Sequence, residues 1–322
     1  MSEFRYNTLK KEWVLFSPNR AKRPNEFVED KLSTNASGCP FELGSEHLTP
    51  NELAIIGTND NWKCRVVPNL YHALSINADL VSSKDACFEK KSGFGAHEVI
   101  IETPLHSRQM YNFSLAEFSD YITIMKIRVA DLIKDKRLKY FSIFKNSGIS
   151  AGATLEHSHT QLIAMPFIPP KIADDLTFFK NHKQKHDRDF FDDLIYSEKE
   201  FKKGILIENS SFIAYCPYAS TYAFEVSIVA KNSVKTLLDC DDKDIYALSE
   251  VLEYVYSRLF SALGDFSFNM LIKNGEINSD ENSNRFHIQI LPRLYKIAGY
   301  ELDSDVFINT ILPEKATEIL KD

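Results

Sequence analysis

The sequence predicts an α+β fold made of two tandem copies of one unit, each an antiparallel sheet with helices packed on it. Three observations carry this. FSIFKNSG (141–148) and TQLIAMP (160–166) recur in the same order as FNMLIKNG (268–275) and FHIQILP (286–292). Each pair follows a stretch with helical spacing, Leu115 to Leu132 and about Asp244 to Leu263. A charged segment, residues 171–203, separates the copies and reads as a surface helical excursion. The implied duplication has a period of about 130 residues.

The elements follow in order. Glu12 to Ser17 reads as a strand ended by Pro18, and residues 30–52 as loop. Arg65 to Pro68 and Glu98 to Glu102 read as strands. The first helix spaces Phe118, Tyr121, Ile122, Met125, Val129 and Leu132 along one face. Tyr140 to Lys145 and Thr160 to Met165 are strands around a glycine-containing loop, and Pro166, Pro169 and Pro170 stop the second. Glu225 to Ala230 echoes the strand at Glu98. On this alignment His157 and His159 fall opposite asparagine and arginine positions, Gln161 opposite His287, and His106 opposite Ser233. The chemistry is therefore expected in the first copy.

Bulk properties narrow the function. A chain of 322 residues with 44% hydrophobic content supports a sizeable core. A net charge of −7 argues against general nucleic-acid binding but allows a local anion pocket. Met1 to Lys11 has no apolar signal core, and no stretch reaches the roughly 20 apolar residues of a membrane span. Five scattered cysteines speak against a disulfide framework and for a reducing, cytoplasmic location.

The sharpest local feature is His157-Ser158-His159-Thr160-Gln161, where a glycine loop enters a strand. Alternation along a strand puts His157, His159 and Gln161 on one face. Two imidazoles and an amide there suit work on a phosphate, because imidazole attacks phosphorus and an amide donates to phosphoryl oxygen. The plain alternative is a polar strand face in water. The preceding loop, Asn146 to Thr154, is small and polar, with Gly148 and Gly152 allowing close backbone approach. Arg20, Lys22 and Arg23 cluster after the first strand and suggest an anion site; a solvated charge run is the alternative.

Four separated signatures, WVLFSPNRAKRP (13–24), CPFELGSEHLTP (39–50), HEVIIETPLH (97–106) and NSGISAGATLEHSHTQ (146–161), resemble the galactose-1-phosphate uridylyltransferase family of the histidine-triad superfamily. RVVPNLYHAL (65–74) is also similar, and the second half resembles it more weakly through FHIQILPRL and AGYE. The resemblance implies two tandem histidine-triad-like modules, a catalytic one over 1–195 and a degenerate one over 196–322. It implies His159 as nucleophile and Gln161 as the amide steadying the transferred phosphoryl group. Asn146, Gly152, Thr154, Arg20 and Arg23 match phosphate-side positions, Asn69 a nucleoside-side one and Glu301 a sugar-contacting one. Cys39, His106 and His157 match zinc ligands. Glu42 stands where the fourth, a cysteine, is usual, and this set still suits a structural zinc. A second metal site is expected to be absent, since only His287, beside Gln289, stands near its place. His47, His72, His97, His182 and His186 are given no catalytic role. His182 and His186 are read as a surface helix face.

The implied reaction is double displacement: His159 takes a nucleoside monophosphate from a nucleotide sugar and hands it to a phosphate-bearing acceptor. UDP-glucose:hexose-1-phosphate uridylyl transfer, with galactose 1-phosphate as acceptor, is the leading expectation. Leu70, where uridylyltransferases often have Asp, and the stretch NLYHAL bring in the alternative of an ADP-glucose phosphorylase acting with inorganic phosphate. A histidine-triad hydrolase and a non-catalytic nucleotide-sugar binding protein are further readings. The resemblance also implies a homodimer.

Overall fold

The computed structural model describes residues 2–22, 38–277 and 283–322; Arg23 lies outside them. In chain order the elements are β1 (Glu3–Asn7), β2 (Glu12–Phe16), β3 (Ala54–Thr58), β4 (Asn61–Pro68), β5 (Ser82–Asp85), β6 (Phe88–Lys91), β7 (Ala96–Ile101), α1 (Leu115–Leu132), β8 (Tyr140–Ser147) and β9 (His159–Met165). Helices α2 (Pro170–His186) and α3 (Phe190–Phe201) follow. The chain continues with β10 (Ile205–Glu208), β11 (Phe212–Tyr215), β12 (Val226–Ala230), α4 (Asp242–Leu263), β13 (Phe268–Lys273), β14 (His287–Pro292), α5 (Gly299–Ser304), β15 (Phe307–Asn309) and α6 (Pro313–Lys321).

Ten strands form one antiparallel sheet in the order β10-β11-β12-β14-β13-β8-β9-β7-β4-β3. Read from either edge to the centre, each half has the same plan: a hairpin, a third strand, a helix crossing one face, then two strands of which the earlier is central. The halves join where β8 pairs with β13, and Phe144 there faces Leu271, its own counterpart in the repeated motif. The expected boundary at 195/196 falls inside α3.

The strand ladder corrects one detail of the alignment. In the first half Phe144 pairs with Gln161, and in the second Leu271 pairs with Gln289. His159 therefore corresponds to His287, and Gln161 to Gln289. Matching apolar runs placed β14 two residues out of register, because a shift of two keeps the apolar alternation and only the hydrogen-bonded ladder distinguishes it.

Helix α1 has the predicted bounds. Ser114 caps it, accepting from the Glu117 N–H while the Glu117 carboxylate accepts from the Ser114 N–H at 2.7 Å. Its apolar stripe, with that of α4, covers one face of the sheet and forms the main core. The charged excursion is α2 and α3, whose Phe179, Phe190, Phe191 and Ile195 pack with Ile213, Tyr215 and Val229 in a separate cluster on the second half. His182 of α2 contacts Asp193 Oδ2 at 2.9 Å. Strands β1, β2 and β15 make a small separate sheet from the two ends of the chain. Among the described residues, no helix is long and apolar enough to cross a membrane. All five cysteines are free.

Candidate active site

The site is built on β9. Its alternation sends Thr160, Leu162 and Ala164 toward α1 and the core, and His159 and Gln161 to the opposite face. On the helix side a buried charge cluster anchors the start of the strand. Lys145 Nζ donates to both Glu102 oxygens at 3.1 and 2.9 Å, to Ser158 Oγ at 2.9 Å and to the His159 carbonyl at 3.2 Å. Ser158 and Thr160 each donate to Glu102 at 2.6 Å. Burial pulls the Lys145 pKa down, opposed by Glu102. The sequence reading missed this cluster. Its signal was a polar residue at Ser158 and Thr160, on the face otherwise reserved for the core.

The predicted metal ligands converge. Nε2 of His157 donates to the Thr103 carbonyl at 2.8 Å, which leaves the Nδ1 lone pair 3.5 Å from Cys39 Sγ and 3.7 Å from Glu42 Oε2. His106 Nδ1 lies 3.8 Å from the same Glu42 oxygen. One ligand atom from each of the four residues lies within 4.8 Å of the others. Glu42 Oε2 and both ring nitrogens of His106 are buried without a hydrogen-bond partner. Unpaired buried polar atoms cost about 1–3 kcal/mol each. A cation at the centre removes that cost, so the donor set fits a metal ion of the zinc type.

His159 sits directly beyond this cluster. Its Nδ1 meets the His157 carbonyl at 2.7 Å. A carbonyl only accepts, so the ring proton is on Nδ1 and the Nε2 lone pair is free. Burial, helped by nearby Lys145, lowers the His159 pKa to about 4. The Phe41 ring lies 5.5 Å from the imidazole, edge to face.

Gln161 has a neighbour to which the sequence reading gave no role. His97, on β7, places Nε2 2.9 Å from Gln161 Oε1. The Ala73 N–H donates to His97 Nδ1 at 3.2 Å, so the ring proton is on Nε2 and goes to Gln161. The Gln161 NH2 group is thereby turned outward as a donor. Asn69 joins the same group: its Nδ2 is 3.1 Å from His97 Nε2 and its Oδ1 accepts from the Tyr71 N–H.

The glycine loop stands where expected. Gly148 has φ +80°, and a Cβ there would meet Ser267 Oγ at 2.1 Å. Gly152 has φ +84°, with open space around it, and ends a single turn at Ile149–Ala151. Asn146 Oδ1 accepts from Asn269 Nδ2 at 2.8 Å, and the same amide donates to the Ala151 carbonyl at 2.9 Å. Asn269 of the second half thus braces the loop of the first, a role invisible without the β8–β13 pairing. Thr154 is exposed. Arg20 is exposed in the turn Pro18–Lys22, which brings it into no side-chain contact with His159 among the described residues. Glu301 lies in α5, where it accepts from the Ala298 N–H at 3.2 Å and lines a crevice with Tyr222 and Tyr295. The chain does not carry it to the His159 face. The larger clefts, about 210 and 440 Å³, lie over the second half of the sheet.

The profile described as "Galactose-1-phosphate uridyl transferase, N-terminal domain" matches residues 1–169, and that of a domain of unknown function (DUF4921) matches 94–321. An ADP-glucose phosphorylase of Arabidopsis thaliana is 31% identical over 99% of this chain and 92% of its own length. A galactose-1-phosphate uridylyltransferase of Thermotoga maritima is 27% identical over 100% of this chain and 98% of its own. The crystal structure of an Arabidopsis thaliana ADP-glucose phosphorylase with bound ADP-glucose superposes with a TM-score of 0.85 at 29% identity, covering 100% of this chain and 99% of that one. By profile, relatives and fold alike, the chain belongs to the galactose-1-phosphate uridylyltransferase family of nucleotidyltransferase-type enzymes.

Proposed function

We propose that this enzyme moves a nucleoside monophosphate through a covalent intermediate on Nε2 of His159. The observation that carries the reading is the bond from His159 Nδ1–H to the His157 carbonyl, which leaves Nε2 as the free lone pair. In the first step that lone pair attacks the α-phosphorus of a nucleotide sugar. The bond from phosphorus to the bridging oxygen breaks, and hexose 1-phosphate leaves with the electron pair. In the second step an acceptor phosphate oxygen attacks the same phosphorus, the P–N bond breaks and the imidazole recovers its lone pair. The Nδ1–H bond to the carbonyl stabilises the positive charge on the ring between the steps. The Gln161 amide, Asn146, Thr154, the backbone at Gly152, Arg20 and Arg23 are assigned to the phosphates. Asn69 is assigned to the nucleoside.

ADP-glucose as donor, with inorganic phosphate as acceptor, is the reading favoured between the two expected. Its support is the 31% identity over 99% of the chain and the TM-score of 0.85. Uridylyl transfer between hexose 1-phosphates stays the second reading, supported by the 27% identity to the Thermotoga maritima enzyme over the full chain. In either case Cys39, Glu42, His106 and His157 would hold a structural zinc that fixes the start of β9. The modules 1–195 and 196–322 belong to the same reading, as do a cytoplasmic location and a homodimer in which Glu301 serves the partner's sugar site.

The test is intact-protein mass after mixing the enzyme with ADP-glucose or with UDP-glucose, without acceptor. An adenylyl adduct that His159→Gly abolishes supports the first reading. A uridylyl adduct moves the function to hexose-1-phosphate uridylyl transfer. No adduct from either donor, with the protein folded, overturns the nucleophile.

A further inference from the structure

The second half keeps more than the fold of the first. In ladder register, His287-Ile288-Gln289 of β14 occupies the place of His159-Thr160-Gln161 of β9. His287 repeats the orientation of His159: its Nδ1 meets the carbonyl two residues earlier, Arg285, at 2.8 Å. The proton is therefore on Nδ1 here too, and Nε2 is a free acceptor. Burial holds the ring neutral, with a pKa near 4.

His287 and Gln289 line a cleft of about 210 Å³ between the sheet, α2 and the segment joining β1 to β2. They are 5% and 6% exposed. Among the described residues, Gln289 has no hydrogen-bond partner for its side chain, and His287 has none for Nε2. Lys273, directly across the ladder from His287, lines the same cleft with Lys171 and Lys10. Lys10 is paired with Glu225 at 2.6 Å, whereas Lys171 and Lys273 have no carboxylate within ion-pair distance among the described residues. Burial and the two other lysines pull the Lys273 pKa to about 8, opposed by Asp175. Glu12 and Asp175 also reach the cleft, but they are engaged with Thr221 and with Lys11 respectively. Among the described residues the cleft thus gathers two lysines without a direct ion pair, a neutral imidazole that can only accept at Nε2, and a free amide.

We propose that this cleft is a second ligand site, taking a small hydroxylated phosphate ester of the sugar phosphate class. Lys171 and Lys273 meet the phosphate, the Gln289 amide donates to it or to a hydroxyl, and His287 Nε2 accepts from a ligand hydroxyl. The volume is below the roughly 300–1,000 Å³ of sites that enclose larger ligands, which favours a small ester over a nucleotide sugar. The site is assigned binding without turnover: among the described residues the metal-ligand cluster beside His159 has no counterpart, and Arg285 stands in the place of His157. The inference rests on the register and the cleft, not on the catalytic reading of His159.

Equilibrium dialysis of the whole protein against labelled glucose 1-phosphate, and separately against inorganic phosphate, tests it. Glucose 1-phosphate is expected to occupy one more site per chain in the wild type than in Lys273→Met, whose affinity at that site falls roughly 10- to 100-fold. His287→Phe is expected to lose the same site while leaving inorganic phosphate binding intact. Lys171→Met, at an exposed position in the first turn of α2, serves as a second variant should Lys273→Met fail to fold. Equal stoichiometry in the wild type and in folded Lys variants overturns the proposal. Inorganic phosphate bound as tightly as the ester overturns the hydroxyl contact and the ligand class. The adduct measured by mass with ADP-glucose or UDP-glucose is a separate readout, so failure of the His159 reading would be seen independently.

Discussion

Strands β9 and β14 present the same pair, a histidine and a glutamine two residues apart, at equivalent places in one sheet. Both histidines give Nδ1–H to a carbonyl two residues back, at 2.7 and 2.8 Å, and burial brings both to a pKa near 4. What differs is the surroundings. Next to His159 stand Cys39, Glu42, His106 and His157, and β7 offers His97 to the glutamine. Next to His287 stands Arg285, paired with Asp189 and Asp192 at the start of α3, and the Phe191 ring lies 5.1 Å away. In the place of His97 is Glu225, which accepts from the Thr221 and Tyr222 N–H groups and pairs with Lys10. A poised tautomer is therefore cheap for a strand to make. The neighbours that anchor and aim it distinguish the two sites.

The comparison breaks most directly at the histidines. His159→Gly is expected to remove the nucleotidyl adduct and lower kcat at least about 10⁴-fold, while His287→Asn stays within about twofold at saturating substrate. Comparable losses in steady-state assays of the two variants would mean that both halves carry chemistry. The metal cluster comes next. Removing metal with a chelator, or by His106→Ala, is expected to take zinc content by elemental analysis from about one per chain to none and to lower Tm. Glu42→Cys is expected to retain zinc at higher chelator concentrations, because thiolate is the softer ligand.

Lys145 is buried under β9, and the residue in its place in the second half is Ile272. Lys145→Met should cost about 3–5 kcal/mol in urea unfolding, because it strands the buried Glu102 carboxylate. A loss below 1 kcal/mol would show Glu102 taking up a proton without strain. In α3, over the second half, burial raises the Glu198 pKa from 4.5 to about 7, and its Oε2 has no partner. A raised carboxyl pKa means the native state holds the proton that the unfolded chain has released. Stability attributable to this group is thus full below pH 4.5 and falls as pH rises through 7. Glu198→Gln is expected to gain roughly 2–3 kcal/mol at pH 8 and little at pH 4; parallel pH–Tm curves would count against it. The smallest effect is at His97. His97→Ala should lower kcat about tenfold with KM little changed, and His97→Gln, which returns an N–H near the Nε2 position, should recover most of it.

Much of the site was legible because its residues sit close together in the chain. His159 and Gln161 follow from alternation along β9, with His157 two residues before the strand begins, and the bounds of α1 follow from its helical spacing. The hairpin strands β3, β10 and β11 were not read, since each is short and lacks a distinctive alternating pattern. The His97–Gln161 contact was hidden for another reason: two strands far apart in sequence become neighbours only through sheet order. The bracing of the loop by Asn269 was hidden in the same way.

By itself the sequence determined the α+β class, the repeated plan and the strand that carries His159, because these depend on local periodicity and on the type of side chain; the four candidate metal ligands came from the resemblance of whole signatures to the family. Only the tertiary structure decided the register that matches His159 to His287, the tautomer of each ring, and which half is covered by α2 and α3. Those properties depend on hydrogen bonds and packing between segments distant in the chain, and no local pattern encodes a partner that lies on another strand.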